Sequence, residues 1–329
     1  IVNEWDKRHR LHPYSKTMIL NTMFNSTISV VKIIYMYSNT KNLIKTIRVW
    51  QWAKNFVVFT MPVGLGTLDL NILFKVLISF FGISLISSSN YIINDIRDID
   101  IDKNHPVKKN RPIANGSVGL TNAKFLFFIL LALGLYLLHY LNTETLFFGL
   151  VYFVFGILYT WRFKFIPYID VMTISFLFLI RVMIGSAAVN IAPSSYLTTF
   201  IFFSSLCLAL SKRISIYQDV RILDNSEYKK FLKTAYNLKS LNNLLIFCSF
   251  TAFVTYLLWV VIVKTIFPIS LTNIFLVLSI LSLGRVFMGI FLITNNLGLE
   301  DFVISMVKNK KELVYLIFTV SFLLIGVYG

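Results

Sequence analysis

Charge is scarce in this chain, and acidic charge is scarcest. Of 329 residues only 14% are charged, and 15 acidic side chains face 31 basic ones. With 57% hydrophobic residues and a mean hydropathy of +0.73, the chain has too little polar surface for a soluble domain of its length. Cysteine is nearly absent: Cys207 and Cys248 both lie inside apolar runs, which excludes a disulfide framework and a cysteine-based metal site. The four histidines, His9, His12, His105 and His139, lack the HExxH spacing of histidine-ligated zinc. A formal charge of +16 would suit nucleic acid, but the basic residues form no single patch interleaved with aromatics, so no nucleic-acid partner is expected.

What remains is a chain whose solvent is lipid. A hydrocarbon core of roughly 30 Å takes about 20 apolar residues as a helix. The apolar runs predict an all-α, polytopic membrane protein with nine transmembrane helices, over 51–67, 72–94, 121–141, 143–161, 169–190, 196–211, 241–264, 271–293 and 312–329. Basic residues gather in alternate connections: Lys41, Lys45, Arg48 and Lys54, then Arg97 to Lys124, Arg162 and Lys164, Lys212 to Lys239, and Lys308 to Lys311. The other connections offer only Lys75 and Lys264, so the first set and the N-terminus are expected on the cytoplasmic side of the cell's inner membrane. Residues 1–44 read as a basic interfacial tail or the remnant of an upstream segment, because the apolar stretch from Ile28 to Tyr37 is too short, and too interrupted by Lys32, to span. The chain does not open with Met and is expected to be a fragment or a processed form; no small-residue cleavage pattern marks a signal peptide.

The chemistry concentrates where the second span ends. Asn94-Asp95-Ile96-Arg97-Asp98-Ile99-Asp100-Ile101-Asp102 places four of the scarce carboxylates within nine residues. If the helix continues, Asp95, Asp98 and Asp102 share one face and Asp100 points elsewhere. Like charges this close repel, and Mg²⁺, held by one or two carboxylates plus substrate phosphates, removes the penalty. Immediately downstream, Lys108, Lys109 and Arg111 stand beside this acidic face, stiffened by Pro106 and Pro112 and suited to phosphate oxygens. Arg181 lies well inside a span, where a charge normally turns toward a polar cavity, and Arg285, equally costly, reads as a structural counter-ion.

The NDxxDxxxD pattern, the nine spans and Lys108-Lys109-Asn110-Arg111-Pro112-Ile113 together resemble the UbiA superfamily of intramembrane prenyltransferases over nearly all of residues 45–329. Four segments are most similar to its decaprenyl-phosphate phosphoribosyltransferase branch: Arg48 to Asn55, Asn94 to Gly116, Phe178 to Arg181 with Gly185, and Ser211-Lys212-Arg213. Where ring-prenylating members carry a second aspartate-rich DxxxD motif, this chain has Lys212-Arg213-Ile214-Ser215-Ile216-Tyr217-Gln218-Asp219, and a basic pair suits an additional phosphomonoester.

The resemblance implies an enzyme that transfers 5-phosphoribose from phosphoribosyl pyrophosphate to a polyprenyl phosphate lying in the lipid bilayer. It implies Mg²⁺ on Asp95, Asp98 and Asp102, with Asp170 as a further catalytic carboxylate. Substrate contacts are expected from Gln51, Lys54, Asn55, Asn94, Lys108, Arg111, Tyr159, Lys164, Arg181, Lys212 and Arg213. The competing readings are an aromatic or quinone-precursor prenyltransferase with a prenyl diphosphate donor, and a non-catalytic lipid-binding or transport protein, which leaves the four clustered carboxylates without a purpose.

Overall fold

A computed structural model describes residues 40–105, 107–218, 235–263, 270–296 and 310–329. Most of the expected tail, together with Pro106, Asp219, Arg221, Lys229, Lys264 and Lys308, lies outside the described residues. The described part of the chain begins with a helix over residues 40–47 (α1), followed by a 3-10 segment, Val49–Phe59, and a short helix, Thr60–Leu65 (α2). The bundle then comprises Leu70–Arg97 (α3), Ile99–Lys103 (α4), Leu120–Leu141 (α5), Thr143–Trp161 (α6), Ile169–Val189 (α7), Ser195–Gln218 (α8), Leu238–Leu258 (α9), Leu271–Asn296 (α10) and Lys310–Tyr328 (α11). Eight helices among the described residues are long and apolar enough to cross a membrane, so the protein is an all-α, multi-pass membrane protein.

The expected first span, 51–67, is the exception. Trp52, Asn55, Val58 and Met61 recur every three residues, the repeat of a 3-10 helix rather than an α-helix. Asn55, Val58 and Met61 are accordingly buried in one line, while Phe56 faces outward at 61% exposure. The winding is possible because Gly185 of α7 leaves room for the Val58 carbonyl, which any side chain there would strike. At the far end Gly66 adopts a left-handed conformation (φ 70°), open to glycine at little cost, and closes α2.

Close backbone approach also joins α3 to α5. A Cβ on Gly134 would lie 2.8 Å from the carbonyl of Gly82, inside van der Waals contact. In lipid, where association gains little from the hydrophobic effect, such small-residue contacts supply much of the packing. One apolar core lies among α3, α5, α6 and α7, with Ile83, Ile86, Leu138 and Ile184 fully buried; a larger one lies among α7 to α10 around Leu210, Ile214, Leu241 and Trp259. Both cysteines are buried core residues, and Cys207 Sγ lies 3.4 Å from the Ser249 hydroxyl.

The connections divide by end. The α5–α6 connection is the single residue Asn142, whose Oδ1 accepts from Thr145 N (2.8 Å) and whose Nδ2 donates to the Ala187 carbonyl of α7 (2.8 Å). The opposite end carries the longer connections after α3 and α6, and there the polar residues gather.

Candidate active site

The helix that carries the acidic motif does not run through it. α3 ends at Arg97, Asp98 leaves helical geometry (φ −92°, ψ 12°), and α4 restarts at Ile99. This corrects the expectation that Asp95, Asp98 and Asp102 share one continuous face. Asp95 (4% exposed) and Asp102 (1%) turn inward together, Asp98 turns toward the α6–α7 connection, and Asp100 stands in solvent beside Lys103. Asn94, half-buried in the last turn of α3, adjoins Asp95, and its carbonyl accepts the Asp98 N–H.

Three cations meet these carboxylates. Arg111 Nη1 donates to both Asp95 Oδ1 (2.9 Å) and Asp102 Oδ2 (2.6 Å), so one nitrogen bridges two acids. The local chain explains its reach: Pro112 holds Arg111 extended (ψ 138°), and the preceding turn is tied by His105 Nδ1, which accepts from the N–H groups of Val107 and Lys108. Arg48 Nη2 donates to both oxygens of Asp95 (2.5 and 2.6 Å) from a left-handed backbone position (φ 57°) between α1 and the 3-10 segment. Lys164 Nζ donates to both oxygens of Asp98 (2.8 and 2.9 Å). Burial raises the Asp102 carboxyl above the usual range, opposed by Arg111 and Lys108 and assisted by the neighbouring charge of Asp95.

A second cluster sits at the start of α7. Asp170 is fully buried and accepts from Arg213 Nε (2.5 Å), from the Tyr236 hydroxyl and from the N–H of Val171. Arg213 also donates to the Tyr159 hydroxyl (3.1 Å), and Tyr236 in turn accepts the N–H of Tyr168 (2.7 Å). Burial and the Asp170 carboxylate push the Tyr236 hydroxyl well above its ordinary value. The expectation that Lys212 and Arg213 act as a pair is corrected here. Successive helical residues point about 100° apart; Lys212 is exposed and Arg213 is 2% exposed.

Deeper in the bundle, Arg181 (4% exposed) donates to Asn55 Oδ1 (2.7 Å), the Leu177 carbonyl (2.9 Å) and the Tyr152 hydroxyl (2.6 Å), and stacks between the rings of Tyr152 and Phe178. Asn55 donates to Ser84 and Tyr152 meets Ser87, so small hydroxyls of α3 complete the network. Gln51 and Lys54 are half-buried on the 3-10 segment beside it, and Lys108 is half-buried near Asp102.

Arg48, Tyr152 and Tyr236 were not assigned from sequence. The run Ser84, Ser87, Ser88, Asn90 on one face of an otherwise apolar helix was the available signal for a polar interior.

Among the described residues no three acidic, histidine or cysteine side chains converge on one point. Two do, and a cation already lies between them: Asp95 and Asp102 share Arg111 Nη1. Buried hard oxygen donors around a shared positive charge fit Mg²⁺, which ordinarily takes one or two carboxylates and completes its shell with substrate phosphates and water.

The similarities to known proteins agree with this architecture. The chain is 33% identical over 181 residues to decaprenyl-phosphate phosphoribosyltransferase of Mycolicibacterium smegmatis, covering 54% of this chain and 57% of that protein. It is 32% identical over 179 residues to the protein of the same name from Corynebacterium glutamicum, covering 52% and 53%. The chain thus spans about half the length of these curated relatives. Among solved structures, a UbiA homolog from Archaeoglobus fulgidus bound to GPP and Mg²⁺ superposes with a TM-score of 0.63 over 87% of this chain and 99% of that one, at 17% identity, which speaks to the fold alone. The family model described as the UbiA prenyltransferase family matches residues 56–299, and on that match this chain belongs to the UbiA family.

Proposed function

We propose that the protein transfers 5-phosphoribose from phosphoribosyl pyrophosphate to a polyprenyl phosphate, with release of pyrophosphate, at the cytoplasmic face of the inner membrane. The observation that carries the reading is the commitment of Asp170 to Arg213 and Tyr236. Among the described residues, Asp170 is therefore not a free carboxylate for a second metal-binding aspartate pair of the kind ring-prenylating members would need. The site offers one acidic cluster and, beside it, cations suited to more phosphate groups than a prenyl diphosphate carries. The names of the two relatives support the same choice.

Arg48, Arg111 and Lys164 hold the carboxylates in a fixed arrangement and, when an anionic substrate enters, exchange part of that pairing for phosphate oxygens. Asp95 and Asp102 would hold Mg²⁺, with Asp98 alongside. An ion held there would supply positive charge to stabilise the departing pyrophosphate. The C1–O bond of the donor breaks with its electron pair leaving on pyrophosphate, and an oxygen of the acceptor phosphate forms the new bond to C1. The acceptor is already ionised, so no general base is required and the protein's contribution is placement. Lys108 adds positive potential beside Asp102, and Gln51, Lys54, Asn55 and Arg181 form the polar wall below. Buried Arg213 holds Asp170 and Tyr159 in place through its hydrogen bonds; it acts by positioning, and Lys212 lies on the exposed side of α8.

The test is a radiolabel assay on membranes containing the protein. Label from phosphoribosyl pyrophosphate should enter the lipid fraction when polyprenyl phosphate is supplied. Incorporation only from farnesyl or longer prenyl diphosphates, into an aromatic acceptor, would overturn the reading.

A further inference from the structure

Asn90 lies on α3 between the two polar networks, three residues after Ser87 and four before Asn94. It is 8% exposed, yet neither its Nδ2 nor its Oδ1 has a hydrogen-bond partner. An amide buried in a membrane bundle with both ends unpaired is costly, and native proteins keep such groups where a ligand completes them. The neighbouring polar groups are otherwise engaged: the Ser87 hydroxyl meets Tyr152, which also receives Arg181, and Tyr159 receives Arg213.

The opposing helix is shaped for this amide. Gly156 on α6, between Tyr152 and Tyr159, faces Asn90 so closely that a Cβ there would collide with the amide. The unpaired amide therefore packs directly against a side-chain-free stretch of α6, below the acidic cluster.

We infer that Asn90 is a specificity-determining residue that hydrogen-bonds the ribose hydroxyls of the donor; this rests on the phosphoribosyl transfer proposed above. The chemistry selects the group. A phosphate oxygen only accepts and an isoprenoid chain does neither, whereas the amide presents a donor and an acceptor side by side. A pair of adjacent sugar hydroxyls, each able to donate and accept, satisfies both at once. The three cations above take the phosphates, so the hydroxyls are what remains to be read. A prenyl diphosphate would leave the amide unpaired, which makes Asn90 a discriminator between the two donor classes.

The experiment compares kcat/KM for phosphoribosyl pyrophosphate with that for donors lacking the 2- or the 3-hydroxyl. The protein with Asn90 should prefer the full ribosyl donor over at least one deoxy donor by about tenfold or more. Asn90→Leu, close in shape but apolar, should lose activity with the ribosyl donor and little with that deoxy donor, so that the preference collapses toward one. Gly156→Ala, which displaces the amide without removing it, should lower the same preference. Asn90→Ser keeps a polar group should Asn90→Leu fail to fold, and is expected to retain part of the preference. An Asn90→Leu protein that keeps the full preference, or that loses activity equally with all donors, would overturn the inference while leaving phosphoribosyl transfer intact. A protein with Asn90 that uses no ribosyl donor at all would overturn both.

Discussion

Arg285 of α10 and Glu312 of α11 form a closed pair. The carboxylate receives both guanidinium ends (3.1 and 3.4 Å), Tyr315 covers the cation, and Gly289 leaves space for the acid. One cation meets one anion, and the contact holds two helices together. At the end of α3 the charges are shared instead. Asp95 has two arginines, and Arg111 has two carboxylates. A closed pair is a fastening. A shared one can release a partner to a ligand and still keep its charge balanced.

The largest effect that would break this comparison lies at Asp95. Asp95→Asn should reduce turnover by about 10²-fold or more, on the scale of losing a key electrostatic group, while the protein still folds. Chelation by EDTA should do the same, reversibly on adding Mg²⁺, and full activity in excess chelator would remove the metal from the reading. Asp100→Asn, at a side chain standing in solvent, should leave turnover near its starting value.

Stability, not turnover, should respond at the closed pair. Glu312→Gln is expected to cost about 1–3 kcal/mol, between the values for an exposed and a broken buried pair, because Arg285 is partly solvated. Thermal melting in detergent reads the loss, and an assay at saturating substrate should show an unchanged kcat. A fall in kcat with no change in melting would erase the distinction between the two regions.

The smallest effect concerns pH. The Asp102 carboxyl is raised in the fold, chiefly by burial, so the folded protein holds that proton to higher pH than the unfolded chain. Stability from this group is therefore present below the ordinary carboxylate value of 3.8 and declines as pH rises through the raised one. Ionised Asp102 is disfavoured by its burial, a cost tolerated for function. Asp102→Asn should raise the melting temperature slightly at pH 7, remove the pH-dependent loss, and still impair transfer; a lower melting temperature at pH 7 would show that the Arg111 contact outweighs burial.

The apolar runs made the bundle legible, because a run long enough to cross lipid has few other uses. Asp95, Asp98, Asp102, Arg111 and Arg181 were legible because charge is too rare here to be incidental. The form of 51–67 was not, since its three-residue repeat is hidden within an apolar run and its winding depends on Gly185 far along the chain. The separation of Lys212 from Arg213 follows from helical geometry, but which of the two turns inward depends on Asp170. Tyr236 reaches Asp170 across 66 positions, and Arg48 reaches Asp95 across 47, partnerships that no local pattern announces.

Asn142 gives the bundle a mechanical polarity. A one-residue connector offers only about 3.8 Å between neighbouring Cα atoms, so α5 and α6 cannot part at that end, and the side chain ties α7 to the same point. The helices behave as rods bound at their base. Any splaying grows with distance from the knot and is greatest at the opposite mouth, where the carboxylates, the cations paired with them and the longer connections lie.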